Sequence, residues 1–426
     1  MKKILPLLLC AALLLSGCAF LSPGAEDGVT TITLKGQSAR VRGAGAKADG
    51  SLVTISQPGV YTVSGDLADG QLLVDTGDEP LEVTVILDNA RIVNLTGPAL
   101  YVRQAKDFSL QLAVGSENLL RSGEPAWESA DPQASGAALY AEDDLDIDGA
   151  GALTVEGYLN NGIGCKNDID LNYGNVTVRA VNNGVRAKSS IQIRDGNLSV
   201  TALGDGLKTT EETREDKGWI KLSGGSVSIE AWGDGVQASR ELSVSGGSLT
   251  VTARGDGAEG SSKALKAGLA LDISGGELRL SALEDAIRCD GNVTVSGGDL
   301  ELLSQSGDGI QAGLKDSGVG LLHISGGQIA ITQCRQALKG QEGLWLEGGS
   351  IIALCQTDKQ SAPDKSSLGY VLCPLTGAEG SVVTAGARSI VSAGSFLLVF
   401  CADEAFVPGE SVPVSCDGAP IQAAVK

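Results

Sequence analysis

From residue 144 the chain alternates apolar and polar positions in short runs, and the runs recur. One set reads Ile191-Gln-Ile193, Ile220-Lys-Leu222, Leu242-Ser-Val244, Leu271-Asp-Ile273, Val293-Thr-Val295, Leu322-His-Ile324 and Leu344-Trp-Leu346. A second set follows a glycine bend: Leu198-Ser-Val200, Val227-Ser-Ile229, Leu249-Thr-Val251, Leu278-Arg-Leu280, Leu300-Glu-Leu302 and Ile329-Ala-Ile331. Alternation of this kind predicts strands with one buried face. The bend glycines fall at 174, 196, 225, 247, 276, 298, 327 and 349, spaced alternately 22 and 29 residues apart. Strand pairs repeating at a fixed period predict an all-β solenoid with about 22 residues per turn, its turns stacked at about 4.8 Å. One turn cannot bury its own inward row, so the rows of successive turns must form continuous apolar ladders.

The long turns carry seven extra residues, expected at Thr209–Lys217, Glu259–Gly268 and Gly313–Gly320 on one corner. Such loops on a rigid scaffold are suited to recognition. An inward column of small residues is expected at Cys165, Ala187, Thr209, Ala238, Gly260, Cys289, Ala312 and Gly340. After Gly349 the period fades, and five prolines interrupt residues 351–426, which are expected to form a β-rich C-terminal cap or small module. Cys373, Cys401 and Cys416 could include one disulfide, which sequence cannot assign.

Composition agrees with this reading. Glycine supplies 59 of 426 residues while aromatics are only 4%. The formal charge is −20, the wrong sign for holding phosphates, so nucleic acid is excluded as a partner. A single histidine removes histidine triads and multi-histidine metal sites. At the start, Lys2 and Lys3 precede an apolar stretch from Ile4 to Leu15, the order of an export signal covering residues 1–17. It ends Leu15-Ser16-Gly17-Cys18, which resembles a bacterial lipobox. Residues 18–28 are then a lipidated Cys18 and a tether. The expected location is the outer face of a bacterial membrane, at the cell surface, with the protein held by that lipid.

Several stretches carry a resemblance to a family: Val53-Thr-Ile-Ser-Gln-Pro-Gly-Val-Tyr-Thr-Val-Ser-Gly65, Val85-Ile-Leu-Asp-Asn-Ala90, Gly97-Pro-Ala-Leu-Tyr101, Glu142-Asp-Asp-Leu145, Asp216-Lys-Gly-Trp-Ile220, Lys263-Ala-Leu-Lys-Ala-Gly268 and Glu284-Asp-Ala-Ile287. In order and spacing, residues 29–350 resemble the bacterial calcium-containing carbohydrate-binding domain proteins. The resemblance implies a single-stranded right-handed parallel β-helix of pectate-lyase-like fold. It also implies bound calcium, and binding of cell-wall polysaccharide such as cellulose or acidic pectin. The chain departs from the family's pattern at Arg288 and Gln311, where a histidine is common, and at Asn160-Asn161-Gly162 and Gln336-Ala337.

One column of the repeat reads Asn161, Asn183, Asp205, Asp234, Asp256, Asp285, Asp308, Gln336. A lone Asp-Gly is a turn. Five stacked carboxylates pose a different problem, because neighbours ~4.8 Å apart repel by about 1 kcal/mol in water and ~3.5 kcal/mol at an effective dielectric of 20. Calcium ions on Asp205, Asp234, Asp256, Asp285 and Asp308 would relieve this; so would Lys208 and Arg288, each three residues after a ladder aspartate. Trp219, Trp232 and Trp345 are candidate sugar-stacking faces, with Lys208 and Arg288 as partners for uronate carboxylates; packing beneath loops is the alternative for each Trp. The expected function is polysaccharide binding by a monomer, with binding favoured over catalysis. The alternatives are a calcium-dependent polysaccharide lyase using Lys208 or Arg288 as base, and a structural adhesin.

Overall fold

The computed structural model describes residues 28–77, 82–125, 136–255, 261–314 and 318–426. The export signal, Cys18, Asp256 and Gly260 lie outside the described residues. Each repeat contributes three short strands, for example Ser190–Ile193, Asn197–Ala202 and Leu207–Thr209. Every strand pairs in parallel with its equivalent one repeat on: Ile191 faces Ile220, Leu198 faces Val227, and Leu207 faces Val236. All described elements are strands, and the repeats stack as rungs.

The inward positions are those the alternation marks. Ile191, Ile193, Val200, Ile220, Ile229, Leu242 and Val244 are all nearly inaccessible and belong to one continuous core. The small column is also inward, with Cys165, Ala187, Thr209, Ala238, Cys289 and Ala312 all buried. Its fifth member is Ala267 and not Gly260, because Ala238 pairs with Ala267.

Glycine's abundance has a local cause at the bend between first and second strands. Gly196 has φ +85°, and a Cβ there would sit 2.5 Å from the carbonyl oxygen of Gly174 on the rung before. Positive φ and this close backbone approach exclude a side chain together. The same holds at Gly247, where φ is +78° and the obstacle is backbone of Gly224 and Gly225.

The long repeats do not all bulge at one corner. After Leu207–Thr209 the next strand begins only at Trp219, so that insertion follows the third strand. In the next long repeat, Ala253 ends the second strand and Leu265 starts the third, so the insertion precedes it. Bend-glycine spacing cannot distinguish these placements, since both lie between the same pair of bends.

Open strand edges at the ends of such a stack would template aggregation. At the first rung Ala39–Arg42 runs antiparallel to Val29–Gly36, and Ala46–Asp49 runs antiparallel to Leu52–Ile55. At the other end Phe396–Asp403 pairs antiparallel with the second half of Gly343–Cys355, and Gly369–Gly377 pairs on its far side. Leu398, Phe400 and Ala402 face the main core, while Val399 and Cys401 face a second core beneath a small antiparallel sheet. The third-strand edge ends differently. The buried side-chain amide of Gln360 accepts from the N–H of Leu338 at 2.9 Å and donates to its carbonyl at 3.0 Å, imitating one more strand. Cys373, Cys401 and Cys416 are free thiols, and no bridge joins them: Cys401 faces Val371, and Cys373 faces Val399.

Candidate functional site

The third strand of each rung is only three residues long in most repeats. Its two flanking side chains point inward, leaving one outward position per rung. Pairing aligns these positions as Tyr101, Tyr140, Gly164, Arg186, Lys208, Gln237, Lys266, Arg288, Gln311 and Lys339. Lys208 and Arg288 thus share one column, together with two tyrosines that the sequence reading did not select.

The acidic column lies three residues before this outward column, at the corner entering the strand. Its members are Asn183, Asp205, Asp234, Lys263, Asp285, Asp308 and Gln336, because Val236 pairs with Leu265 and Leu265 with Ile287. Lys263 holds the rung expected for Asp256, a direct result of the insertion falling before the strand.

The side chains of this column point along the stack. Oδ1 of Asn161 accepts the backbone N–H of Asn183 at 3.1 Å, and Oδ1 of Asn183 accepts that of Asp205 at 3.1 Å. Asp205 accepts from Asp234 at 2.7 Å, Asp234 from Lys263 at 2.9 Å, and Asp285 from Asp308 at 2.7 Å. These amides lie at a corner where strand pairing lapses, so the side chains supply the acceptors that buried N–H groups require.

The second oxygens face cations of the outward column. Lys208 Nζ is 2.6 Å from Asp205 Oδ2, Lys266 Nζ is 3.0 Å from Asp234 Oδ2, and Arg288 Nη1 is 3.8 Å from Asp285 Oδ2. Asp308, fully buried, takes a two-point contact from Arg335, both bonds 3.0 Å, with Lys339 at 3.6 Å. Burial pushes the Asp285 carboxyl above the usual carboxylate range and Asp308 adds to the rise, against the opposing backbone bond and Arg288.

Calcium needs several unclaimed oxygens converging on one point. Here Asp205, Asp234 and Asp285 each give one oxygen to a backbone N–H and present the other to a lysine or arginine, while both oxygens of Asp308 are taken by Arg335. Among the described residues, no group of three or more His, Cys, Asp and Glu side chains could hold a metal ion. In this arrangement the carboxylate oxygens of Asp205, Asp234, Asp285 and Asp308 face backbone N–H groups and the side chains of Lys208, Lys266, Arg288, Arg335 and Lys339.

The tryptophans are dispersed. Trp219 heads a first strand, its indole donating to the Asp216 carbonyl at 3.0 Å with Lys221 Nζ 4.3 Å from the ring centre. Trp345 lies on the same sheet, five rungs on, with Lys365 Nζ at 4.8 Å and the His323 ring edge-on at 6.0 Å. Trp232 occupies the corner after a second strand, beneath Arg254 at 5.8 Å. Each ring already carries a cation, and the three share no single surface.

The tyrosines do come together. Tyr101 and Tyr140 stack with ring centres 5.7 Å apart and planes 28° apart. Gly164 on the next rung leaves room for them, since a Cβ there would lie 3.0 Å from Tyr140 Cδ2. The Tyr101 hydroxyl donates to Glu142 Oε1 at 2.9 Å, and Lys166 pairs with Glu142. Burial, then the bond to Glu142, pushes the Tyr101 hydroxyl up to about 12, so it remains a donor at neutral pH. Arg186 follows Gly164 in the column, and it is exposed. Its charge acts on Tyr140. Unlike the cations further along, it makes no ion pair with a carboxylate among the described residues. The stacked pair, the gap at Gly164 and this exposed guanidinium form a platform with an apolar face and a cationic end. Its sequence signal was weak: Tyr101 and Tyr140 are 39 residues apart, off the repeat spacing.

The family of carbohydrate-binding domain-containing proteins matches residues 49–309, a span holding the platform, the acidic column as far as Asp308, and Trp219 and Trp232 but not Trp345. A carbohydrate-binding domain-containing protein of Acetivibrio thermocellus is 42% identical over 130 residues, covering 30% of this chain and 45% of that protein. The chain thus spans less than half the length of that relative. A solved structure titled as a polysaccharide lyase-like protein from C. thermocellum, a gadolinium derivative, is 31% identical with a TM-score of 0.49, over 62% of this chain and 96% of the other. With the family's match extending over more than half of its length, the chain belongs to the carbohydrate-binding domain-containing proteins.

Proposed function

We propose that this chain is an exported lipoprotein, anchored through Cys18, that binds polysaccharide as a monomer on the outward column of its third strands. The fold we assign to it is a right-handed parallel β-helix, a β-solenoid. The observation that carries the reading is the Tyr101–Tyr140 stack ending at Arg186, which pairs with no carboxylate among the described residues, within the span matched by the family. Aromatic faces suit the C–H faces of pyranose rings, and a free guanidinium suits a carboxylate in two-point geometry. The ligand is accordingly an acidic, pectin-like cell-wall polysaccharide, with a cellulose-like glucan as the neutral alternative.

The pairing of Lys208 with Asp205, and of Arg288 with Asp285 and Asp290, favours binding over the lyase alternative, which needs a free base beside a metal-acidified sugar proton. The test is affinity electrophoresis in gels containing polygalacturonate or soluble cellulose derivatives. Tyr140→Ala should weaken retention on the order of tenfold, equivalent to about 1.4 kcal/mol. Arg186→Ala should weaken retention by polygalacturonate alone. Ultraviolet absorbance from unsaturated uronide should not appear. Undiminished retention in Tyr101→Ala/Tyr140→Ala would refute the assignment of the platform.

A further inference from the structure

We propose that Cys334 and Cys355 form a disulfide that joins two adjacent rungs at the capped end of the stack. Both residues are fully buried and face one another in register across the pairing of Leu321–Cys334 with Gly343–Cys355. Their sulfurs are 3.9 Å apart as thiols. Adjacent strands lie about 4.8 Å apart, within the Cα separation of roughly 4.4–6.8 Å that a disulfide accepts. Bond formation therefore asks only for side-chain rotation.

The other described cysteines have no such partner. Cys165 donates to the Asp143 carbonyl at 2.8 Å, Cys373 and Cys401 face valines in the ladder, and Cys416 faces Val383. The location gives the bond a purpose. Cys355 is the last residue of its strand and pairs with Leu398 of the antiparallel strand that closes the stack. A covalent tie there would hold the last parallel rung, and with it the cap, against fraying. The closed loop spans 21 positions, so the tie also restricts the unfolded chain.

The chemistry is thiol–disulfide exchange with an external disulfide such as oxidised glutathione. Each cysteine gives up its proton as the sulfur–sulfur bond forms. The two electrons pass to the external disulfide, which leaves as two thiols. Because the sites are inaccessible once folded, the exchange must occur during folding.

The full chain is refolded in a glutathione redox buffer, free thiols are alkylated, and tryptic peptides are mapped without reduction. The peptide carrying Cys334 should be found linked to that carrying Cys355, and the oxidised protein should melt several degrees above the reduced one. Cys355→Ser should abolish this reductant-dependent shift, while Cys401→Ser, equally buried, keeps it. Recovery of Cys334 and Cys355 as separately alkylated thiols, or linkage of either to another cysteine, would overturn the proposal. Peptide mapping of the unmodified chain decides the matter even if the serine variant fails to fold. The outcome is independent of whether the tyrosine platform binds sugar.

Discussion

Oδ1 of Asp205 accepts the backbone N–H of Asp234 at 2.7 Å, one rung along the stack, while its Oδ2 lies 2.6 Å from Lys208 Nζ. A column that reads as stacked like charges is thereby largely a row of side-chain acceptors: Asp205, Asp234 and Asp285 each satisfy the next rung's amide. Asparagine at 161 and 183 performs the same task without charge. Asp205→Asn should therefore keep the acceptor and lose little stability. Asp205→Ala leaves a buried N–H unsatisfied and should cost about 1–3 kcal/mol. Urea unfolding of the two variants side by side checks the contrast.

Chelation should leave the fold unchanged. With Lys208, Lys266, Arg288 and Arg335 supplying the positive charge along the column, the melting temperature in EGTA should equal that in added calcium. A fall of several degrees in EGTA would show that these pairs are not enough.

The raised pKa of Asp285 gives a pH dependence of definite sign. A carboxyl whose folded pKa exceeds its unfolded value binds its proton more tightly when folded. Its contribution is complete below the unfolded value of 3.8 and is lost as pH rises through the folded pKa. Asp285→Asn removes that titration while retaining the acceptor for Asp308. The stability of the unmodified protein relative to this variant should therefore increase from pH 7 towards pH 4, as read from midpoints of denaturant unfolding.

Two glycines of similar φ should respond differently to alanine. Gly196→Ala meets both positive φ and the Gly174 carbonyl, and should cost upwards of about 2 kcal/mol. At Gly36, where φ is +71° and nothing lies within 4 Å, only the conformational term of roughly 1 kcal/mol applies. Thermal unfolding of both variants separates stacking from conformation.

Cys18→Ser should release the protein from the membrane fraction into the soluble exported fraction. Fractionation with immunodetection reads this directly, and retention in the membrane would argue against a lipid anchor at that residue.

Much of the architecture was legible because a stacked repeat turns sequence distance into spatial distance. The alternation around Ile191, Ile220 and Leu242 predicts both strand and inward face, and those residues are buried in register. The site was less legible. The spacing of Lys208 and Arg288 from aspartates places them beside the ladder but says nothing of whether their charge is free. Tyr101 and Tyr140 meet only because an irregular stretch of chain returns to the same column.

The sequence by itself determined the rung, its strands, its buried positions and its glycine bends, since each of these depends on near neighbours and on one repeat length. The tertiary structure alone decided three further matters. Insertions of equal length leave the stack at different corners, so Lys263 and not Asp256 occupies the acidic column. Carboxylates turn along the stack to meet backbone amides, where burial makes an unpaired N–H costly. Residues at unequal spacing, such as Tyr101 with Tyr140 and Cys334 with Cys355, become neighbours only when rungs of different length are superposed.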